Sequence, residues 1–221
     1  MAKYVSINEA LDLVKSGDYI VTGLGAAEGR EFMTNLHTIA DRVKDVMVSN
    51  CLPMGAYEFI ANPAYKDSFT TEGWFYTPLL RKAQANGNVS FIPNHLHLAA
   101  TKRLCYRTPD IYVGIASMPD KHGYVSLSTS NTYEMKMIKA AKTVILEINP
   151  NAPRTFGDVQ LHLDDVDYVV EVDYPMPELA DAEPNEKDLA IGKIIAGMIN
   201  DGDCIQLGIG GIPNAVAASL M

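Results

Sequence analysis

The fold is decided by one stretch of sequence, Gly202-Asp203-Cys204-Ile205-Gln206-Leu207-Gly208-Ile209-Gly210-Gly211-Ile212-Pro213. Its apolar residues predict a short strand over Cys204–Leu207, followed by a glycine turn. We expect a helix to begin at Pro213, because a first helical position needs no N–H donor. The free N–H groups and the dipole at such a helix start favour an anion or a polarised carbonyl oxygen.

The same pattern occurs once earlier in the chain, at Gly17-Asp18-Tyr19-Ile20-Val21-Thr22-Gly23-Leu24-Gly25. Matching residues of the two copies are separated by a constant 185 positions, from Gly17 and Gly202 to Gly25 and Gly210. An apolar-periodic helix is predicted before each copy, so we infer that a whole domain is duplicated. The chain then consists of one domain, residues 1–184, and the opening helix, strand and glycine loop of its twin, residues 185–221. The acidic, proline-containing stretch Asp173–Pro184 is the predicted linker between them.

Composition limits the class of protein. A chain of 221 residues that is 48% hydrophobic and 20% charged is globular rather than disordered or fibrous. Its net charge of −9 disfavours nonspecific binding to nucleic acid or to anionic membranes. The widely spaced Cys51, Cys105 and Cys204 predict neither a disulfide framework nor a zinc site. With no signal sequence and no apolar run of membrane-spanning length, we expect a cytoplasmic protein.

Apolar strands and amphipathic helices alternate along the chain. The predicted strands are Tyr19–Thr22, Val46–Ser49, Val89–Ile92, Ile111–Ser117, Tyr124–Ser128, Thr143–Ile148 and Val166–Val172. The predicted helices are one with the capping-box spacing of Ser6 and Glu9, then Gly29–Val43, Pro78–Asn86, Leu96–Tyr106, Thr132–Ala141 and Asn185–Asn200. This alternation predicts an α/β fold with a mostly parallel sheet covered by helices on both faces.

Two glycine loops begin like a dinucleotide-binding fingerprint. In Gly23–Glu28 and in Gly208–Pro213, however, Glu28 and Pro213 stand where the third glycine belongs, so close packing on a pyrophosphate is not supported. Either loop alone is typical of a plain strand-to-helix turn. The later loop is the better ligand candidate, because its adjacent glycines leave N–H groups open to close approach.

Two pairs of polar residues have both a functional and a structural interpretation. His95 and His97 could share one face of a strand and bind a metal, but no third ligand is near, so loop or helix-start positions are favoured. Asp120 and His122 follow a strand, where open α/β sheets build ligand sites, and a Pro-Asp-Gly turn explains them equally well.

Three further candidates stay open. Glu147 is either an active-site acid or a strand-end carboxylate held by backbone N–H groups. Cys51 is a conceivable nucleophile, but a buried, inert cysteine is commoner. The aromatic run Gly73–Tyr76 indicates packing, with a possible role in lining an apolar channel.

Several segments resemble the acetyl-CoA hydrolase/transferase family. They are Glu72-Gly73-Trp74-Phe75, Phe91-Ile92-Pro93 with His97, Ser117-Met118-Pro119-Asp120-Lys121-His122-Gly123, Glu147-Ile148-Asn149 and Leu207–Val216. The similarity runs through the whole chain in order. It implies two related α/β domains and a ping-pong transfer of CoA between a short acyl- or hydroxyacyl-CoA, such as 4-hydroxybutyryl-CoA or butyryl-CoA, and acetate. A glutamate attacks the thioester, and a glutamyl-CoA thioester forms.

The resemblance also implies site residues and partners. Gly208, Ile209, Gly210, Gly211 and Ile212 would contact CoA, which is a substrate rather than a resident cofactor, and no metal is expected. The catalytic glutamate would lie after Met221, in the missing second domain, so this chain alone is expected to be inactive. A homo-oligomer is expected. The alternatives are a hydrolase of the same family, a sugar-phosphate isomerase, and a nucleotide-sensing or scaffold domain.

Overall fold

The computed structural model describes residues 2–178 and 183–221 of the chain. Its contacts divide it into two compact units, Met1–Pro177 and Glu178–Met221. The division falls within the predicted linker, of which residues 179–182 lie outside the described residues. The domain boundary at Asn185 stays a prediction.

The first unit contains an eight-stranded sheet in which every pairing is parallel. Its strands are β1 (Lys3–Tyr4), β2 (Tyr19–Thr22), β3 (Val46–Asn50), β4 (Phe69–Gly73), β5 (Val89–Phe91), β6 (Ile111–Ala116), β8 (Thr143–Ile148) and β10 (Tyr168–Glu171). They lie in the order β1-β10-β8-β6-β2-β3-β4-β5. The predicted parallel α/β fold is confirmed.

Helices cover both faces of this sheet. They are α1 (Ile7–Asp12), α2 (Arg30–Asn35), α3 (Glu58–Ala61), α4 (Pro78–Ala83), α5 (Ala99–Leu104) and α6 (Glu134–Ala140). Alternate residues of a strand point to opposite faces, and in β2 Ile20 packs with α1 to α4 while Tyr19 and Val21 pack with α5 and α6. Strands buried on both sides explain why their sequences are continuously apolar.

Local sequence signals set several helix ends. The capping box of α1 is confirmed, since Ser6 accepts from the Glu9 N–H and the Glu9 carboxylate accepts from the Ser6 N–H. The single helix predicted over Gly29–Val43 is wrong, because α2 ends at Asn35 and a 3₁₀ turn follows over Leu36–Ile39. The Asn35 amide and the Thr38 hydroxyl bond to nearby backbone carbonyls, and such bonds compete with the regular helix.

A separate two-stranded ribbon pairs β7 (Tyr124–Ser126) with β9 (Gln160–His162) in antiparallel fashion. Sequence patterns predicted β7 but missed β9, and they also missed β1 and β4 of the main sheet. These missed strands are short or carry few large apolar residues. Their pairing comes from the surrounding sheet rather than from their own pattern.

The second unit contains α7 (Glu186–Ala196) and α8 (Gly211–Leu220). The strand predicted over Cys204–Leu207 is wrong: these residues form no ladder, because a strand needs a partner to pair with its backbone. Pro213 is likewise not the first helical residue, since α8 begins at Gly211. Proline is still tolerated there, because the N–H groups of a first helical turn have no partner within the helix.

The two copies of the duplicated pattern have glycines with positive φ at matching positions. Gly17 and Gly202 have φ values of 80° and 92°, and Gly25 and Gly210 have φ values of 56° and 136°. All four lie in the region that glycine reaches without steric cost. Gly17 and Gly202 thus have similar φ values, whereas Gly25 begins a 3₁₀ turn and Gly210 precedes α8 with a φ that differs by 80°. Only the first copy forms a strand between its glycines.

Candidate functional site

The sheet has its topological switch point at β2. From β2 the chain moves outward through β3, β4 and β5, and then returns to the other side of β2 with β6. Open parallel sheets bind ligands at such a point, outside the carboxyl ends of the strands. The loops that begin at Gly23, Cys51, Trp74 and Ser117 all leave this carboxyl edge.

Glu28 lies at the switch point and is 3% exposed. The Met54 N–H donates to its Oε1 at 3.0 Å, while Oε2 has no hydrogen-bond partner of good geometry among the described residues. Burial raises the pKa of this carboxyl to about 7. The sequence motif identifies Glu28 only as a replacement for a glycine. The one sequence signal for a functional role of Glu28 was the presence of a carboxylate in the predicted strand-to-helix turn.

Glu147 is a fully buried carboxyl near the end of β8 that caps a distant helix. The N–H groups of Phe32 and Glu31 donate to its two oxygens at 2.7 and 3.1 Å, and the Tyr174 hydroxyl donates at 2.6 Å. Gly29, the N-cap residue of α2, has no side chain for this purpose. Burial raises the pKa of Glu147 to about 7. The structural interpretation of Glu147, a carboxylate held by backbone N–H groups, is the one the geometry supports.

Asp120 and His122 form a turn at the base of the β7–β9 ribbon. Asp120 accepts from the N–H groups of His122 and Tyr124, both at 2.9 Å, and pairs with Arg154 at 3.0 Å. The Tyr124 N–H bond lowers the pKa of Asp120. With both carboxylate oxygens engaged inside the turn, the turn interpretation accounts for these residues.

A cleft opens at the carboxyl ends of β3 and β4. It measures about 290 Å³, and its lining is Cys51, Trp74, Phe75, Asn94, His95, Leu96 and Ala99. Burial, followed by the negative charge of Glu134, raises the pKa of the Cys51 thiol to about 12. A buried thiol with a raised pKa is a poor nucleophile, which favours the interpretation of Cys51 as a buried, inert wall residue. The Trp74 ring packs on Tyr133 with centroids 4.9 Å apart, so the aromatic run both packs and lines a channel.

His95 and His97 lie close together without a third potential metal ligand among the described residues. Their rings are 5.6 Å apart, and no group of three or more potential metal ligands occurs within residues 2–178 and 183–221. His95 is the residue before a 3₁₀ turn over Leu96–Leu98. The favoured prediction, a helix-start position, is confirmed for His95.

An ion pair between Glu72 of β4 and Arg103 of α5 lies beneath this part of the edge. Both side chains are largely buried, and the Arg103 guanidinium also donates to the Tyr19 hydroxyl at 2.7 Å. The pair could not be predicted from the sequence, because the pattern of β4 does not predict a strand. The pair ties α5, which supplies Ala99 of the cleft, to the sheet.

In the second unit, the loop Gly208–Ile212 runs into α8, whose first two residues are Gly211 and Ile212. Ile209 is 92% exposed, and a Cβ at Gly208 would meet only the Pro213 ring, at an ordinary 3.9 Å. Gly211 differs, because a Cβ there would collide with the Asp188 carboxylate. The bare α-carbon of Gly211 therefore serves the packing of α8 on α7, and the open approach to the loop is at Gly208 and Ile209.

Comparison with known proteins adds a family-level finding. The family model described as the acetyl-CoA hydrolase/transferase N-terminal domain matches residues 1–179. No helix in the described part of the chain has both the length and the hydropathy needed to cross a membrane.

Individual relatives match nearly the whole chain. The succinyl-CoA:cyclohexane-1-carboxylate CoA transferase of Geobacter metallireducens is 32% identical over 99% of this chain and 50% of its own length. The 4-hydroxybutyrate coenzyme A transferase of Clostridium kluyveri is 31% identical over 97% of this chain and 50% of its own. The crystal structure of RipA from Yersinia pestis matches with a TM-score of 0.89 at 26% identity, over 99% of this chain and 53% of that one. The chain thus spans about half the length of the relatives it matches.

Proposed function

This chain belongs to the acetyl-CoA hydrolase/transferase family, and on that premise we propose that it is the N-terminal half of a CoA-transferase. The observation that carries the proposal is the similarity of 99% of the chain to half of a CoA transferase. The substrates proposed are a short acyl- or hydroxyacyl-CoA and a carboxylate such as acetate. A second, related domain after residue 221 would complete the enzyme.

The proposed chemistry is a ping-pong exchange at a glutamate of the second domain. The carboxylate attacks the thioester carbonyl, and the C–S bond breaks to give an acyl-glutamyl anhydride and the CoA thiolate. The thiolate then attacks the glutamyl carbonyl and releases the first carboxylate product. An acceptor carboxylate reverses both steps and leaves as the new acyl-CoA. Glu28 and Glu147 are poor substitutes for this nucleophile, because both are buried and Glu147 caps a helix.

In this proposal the loop Gly208–Ile212 contacts CoA. The exposed, unobstructed approach at Gly208 and Ile209 supports that role, since backbone N–H groups there could meet a polar group of the substrate. Asp188 adds a negative charge beside Gly211, which disfavours a phosphate at that point. A neutral amide or a developing carbonyl oxygen is the better match to the loop.

The first test compares this chain with the same chain extended through a second domain. Transfer of CoA from butyryl-CoA to acetate should be undetectable with residues 1–221 and should appear with the extended protein. Steady transfer by residues 1–221 alone would refute the proposed mechanism. Release of CoA by the extended protein without any carboxylate acceptor would instead indicate the hydrolase of the same family.

The role of the loop is tested by Gly208→Ala in the extended protein, with Gly197→Ala as the matched control. A Cβ at either position makes only ordinary contacts, at 3.9 Å for Gly208 and 3.5 Å for Gly197, so neither variant should lose its fold. Gly208→Ala keeps the backbone N–H but adds a Cβ that should obstruct the approach of a substrate oxygen to it. We expect kcat/KM to fall at least about tenfold, compared with about 10²–10³ for complete loss of one well-placed oxyanion donor. Equal kinetics for both variants would remove the loop from the site.

A further inference from the structure

The cleft beside Trp74 has two parts with different chemistry. The inner part, of about 290 Å³, has walls formed by the indole of Trp74, the side chain of Leu96 and the buried Ala99. The outer part, of about 470 Å³, shares Asn94 and His95 with the inner one and reaches Lys102. Phe91 and Pro93 also line the outer part, so a ligand that reached from one part to the other would meet apolar carbon, the polar side chains of Asn94 and His95, and then Lys102.

We propose that the inner part binds the short acyl chain of a thioester, and that the outer part binds the amide-bearing arm beyond the sulfur. This inference rests on the proposed function and adds the position of its substrate. Ligand pockets usually measure about 300–1,000 Å³, so the inner part, at about 290 Å³, suits a short chain and excludes a nucleotide. Its apolar walls favour methylene groups, whose burial removes apolar surface from water.

The wall chemistry is compatible with a bound thioester. A thiol exchanges with a thioester only as the thiolate, and burial raises the pKa of Cys51 to about 12. Its sulfur therefore stays protonated and does not attack the substrate.

Trp74 also provides the measurement, because it is the one tryptophan in the sequence. The probes are the acetyl, butyryl and hexanoyl thioesters of N-acetylcysteamine, which keep the thioester and an amide but lack the nucleotide. Titration into this chain should change the Trp74 emission and saturate. Burial of each CH₂ contributes about 0.8 kcal/mol, so affinity should rise about fourfold per added methylene until the cleft is full. An emission that does not respond, or affinity independent of chain length, would overturn the proposal.

Two variants alter the cleft in opposite directions. Ala99→Leu fills its floor and should weaken butyryl binding at least about tenfold; Leu96→Ala opens its wall and should shift the preference toward hexanoyl. Ala99 is buried and the larger side chain could disturb packing, whereas Leu96 is 53% exposed and its truncation spares the core. Leu189→Ala, which truncates a leucine that is 50% exposed in the second unit, is the matched control. It should bind the whole series like the unaltered chain.

Failure of the cleft and failure of the transferase give different results. If residues 1–221 bind thioesters with an affinity that depends on chain length, but the extended protein transfers no CoA, the acyl-binding role of the cleft is supported and the transferase activity is refuted. The opposite result is also possible: the extended protein transfers CoA, but Leu96→Ala and Ala99→Leu have the same acyl-chain preference as the unaltered enzyme. That result supports the transferase activity and refutes binding of the acyl chain in the cleft.

Discussion

Replacing Glu147 by glutamine should change both the stability of the first unit and its dependence on pH. A glutamine keeps one carbonyl oxygen for the Phe32 N–H but places an NH₂ group where Oε2 accepts from Glu31 and Tyr174. The tyrosine hydroxyl can turn and accept, whereas the Glu31 N–H loses its acceptor. An unsatisfied buried donor costs about 1–3 kcal/mol. We expect a loss of that size at pH 5.

The pH dependence follows from the carboxyl itself. Burial raises the pKa of Glu147 from 4.5 to about 7, so between these pH values the folded chain holds a proton that the unfolded chain has released. The contribution of the protonated Glu147 carboxyl to the free energy of unfolding is therefore fully present below pH 4.5 and is lost as pH rises through 7. At about 1.36 kcal/mol per pKa unit, the loss amounts to about 3 kcal/mol. Glutamine has no such titration, so the stability deficit of the variant should shrink as pH rises from 5 to 8.

Urea unfolding at pH 5, 6, 7 and 8, monitored by Trp74 fluorescence, measures the difference in unfolding free energy. Glu28 remains in both proteins, so its own titration cancels in that difference. The control is Glu171→Gln, which changes an exposed carboxyl on the adjacent strand β10 and should have a small effect at every pH. A Glu147→Gln deficit that is constant or grows with pH would refute the reasoning.

Two other predictions concern the buried ion pair and the second unit. Arg103→Met leaves the Glu72 charge buried without its partner and should lower the free energy of unfolding by about 3–5 kcal/mol. The double variant Arg103→Met, Glu72→Met should recover part of that loss, and a cost below about 1 kcal/mol for Arg103→Met in urea unfolding would contradict the prediction. In the second unit, Ile194 and Met198 are 61% and 71% exposed. Static light scattering over a concentration series should therefore show association of residues 1–221 but not of a chain ending at Pro184, and equal monomeric behaviour would count against this.

The sheet could be predicted from sequence where strands are buried on both sides. The bounds of β2 and β8 agree with their predictions at both ends, because each is a continuous apolar run between turn signals. The run Phe69–Gly73 has one large apolar residue, and it became β4 through its parallel neighbours β3 and β5. Cys204–Leu207 is the opposite case, in which a strand-like pattern has no backbone to pair with.

The family was recognisable from sequence, but the site was only partly so. Motifs such as Glu72–Phe75 and Leu207–Val216 carried the resemblance, and the family match confirms it. The cleft could not be predicted, because it combines the ends of two strands with a turn from residues 94–99. The helix cap by Glu147 was one of two interpretations of that residue. Choosing between them required knowing that α2 begins beside β8, more than one hundred residues away in the chain.

The order of strands also affects how the chain folds as it is synthesised. β1 is the first strand made, yet its one sheet neighbour is β10, so that Lys3 pairs with Tyr168. At about 5–20 residues per second, translation needs roughly ten to thirty seconds to produce that partner. During this interval the first strand has an unpaired edge, which nearby nascent chains could also engage. The centre of the sheet can assemble earlier, so the amino-terminal edge closes after the strands from β2 to β6 have paired.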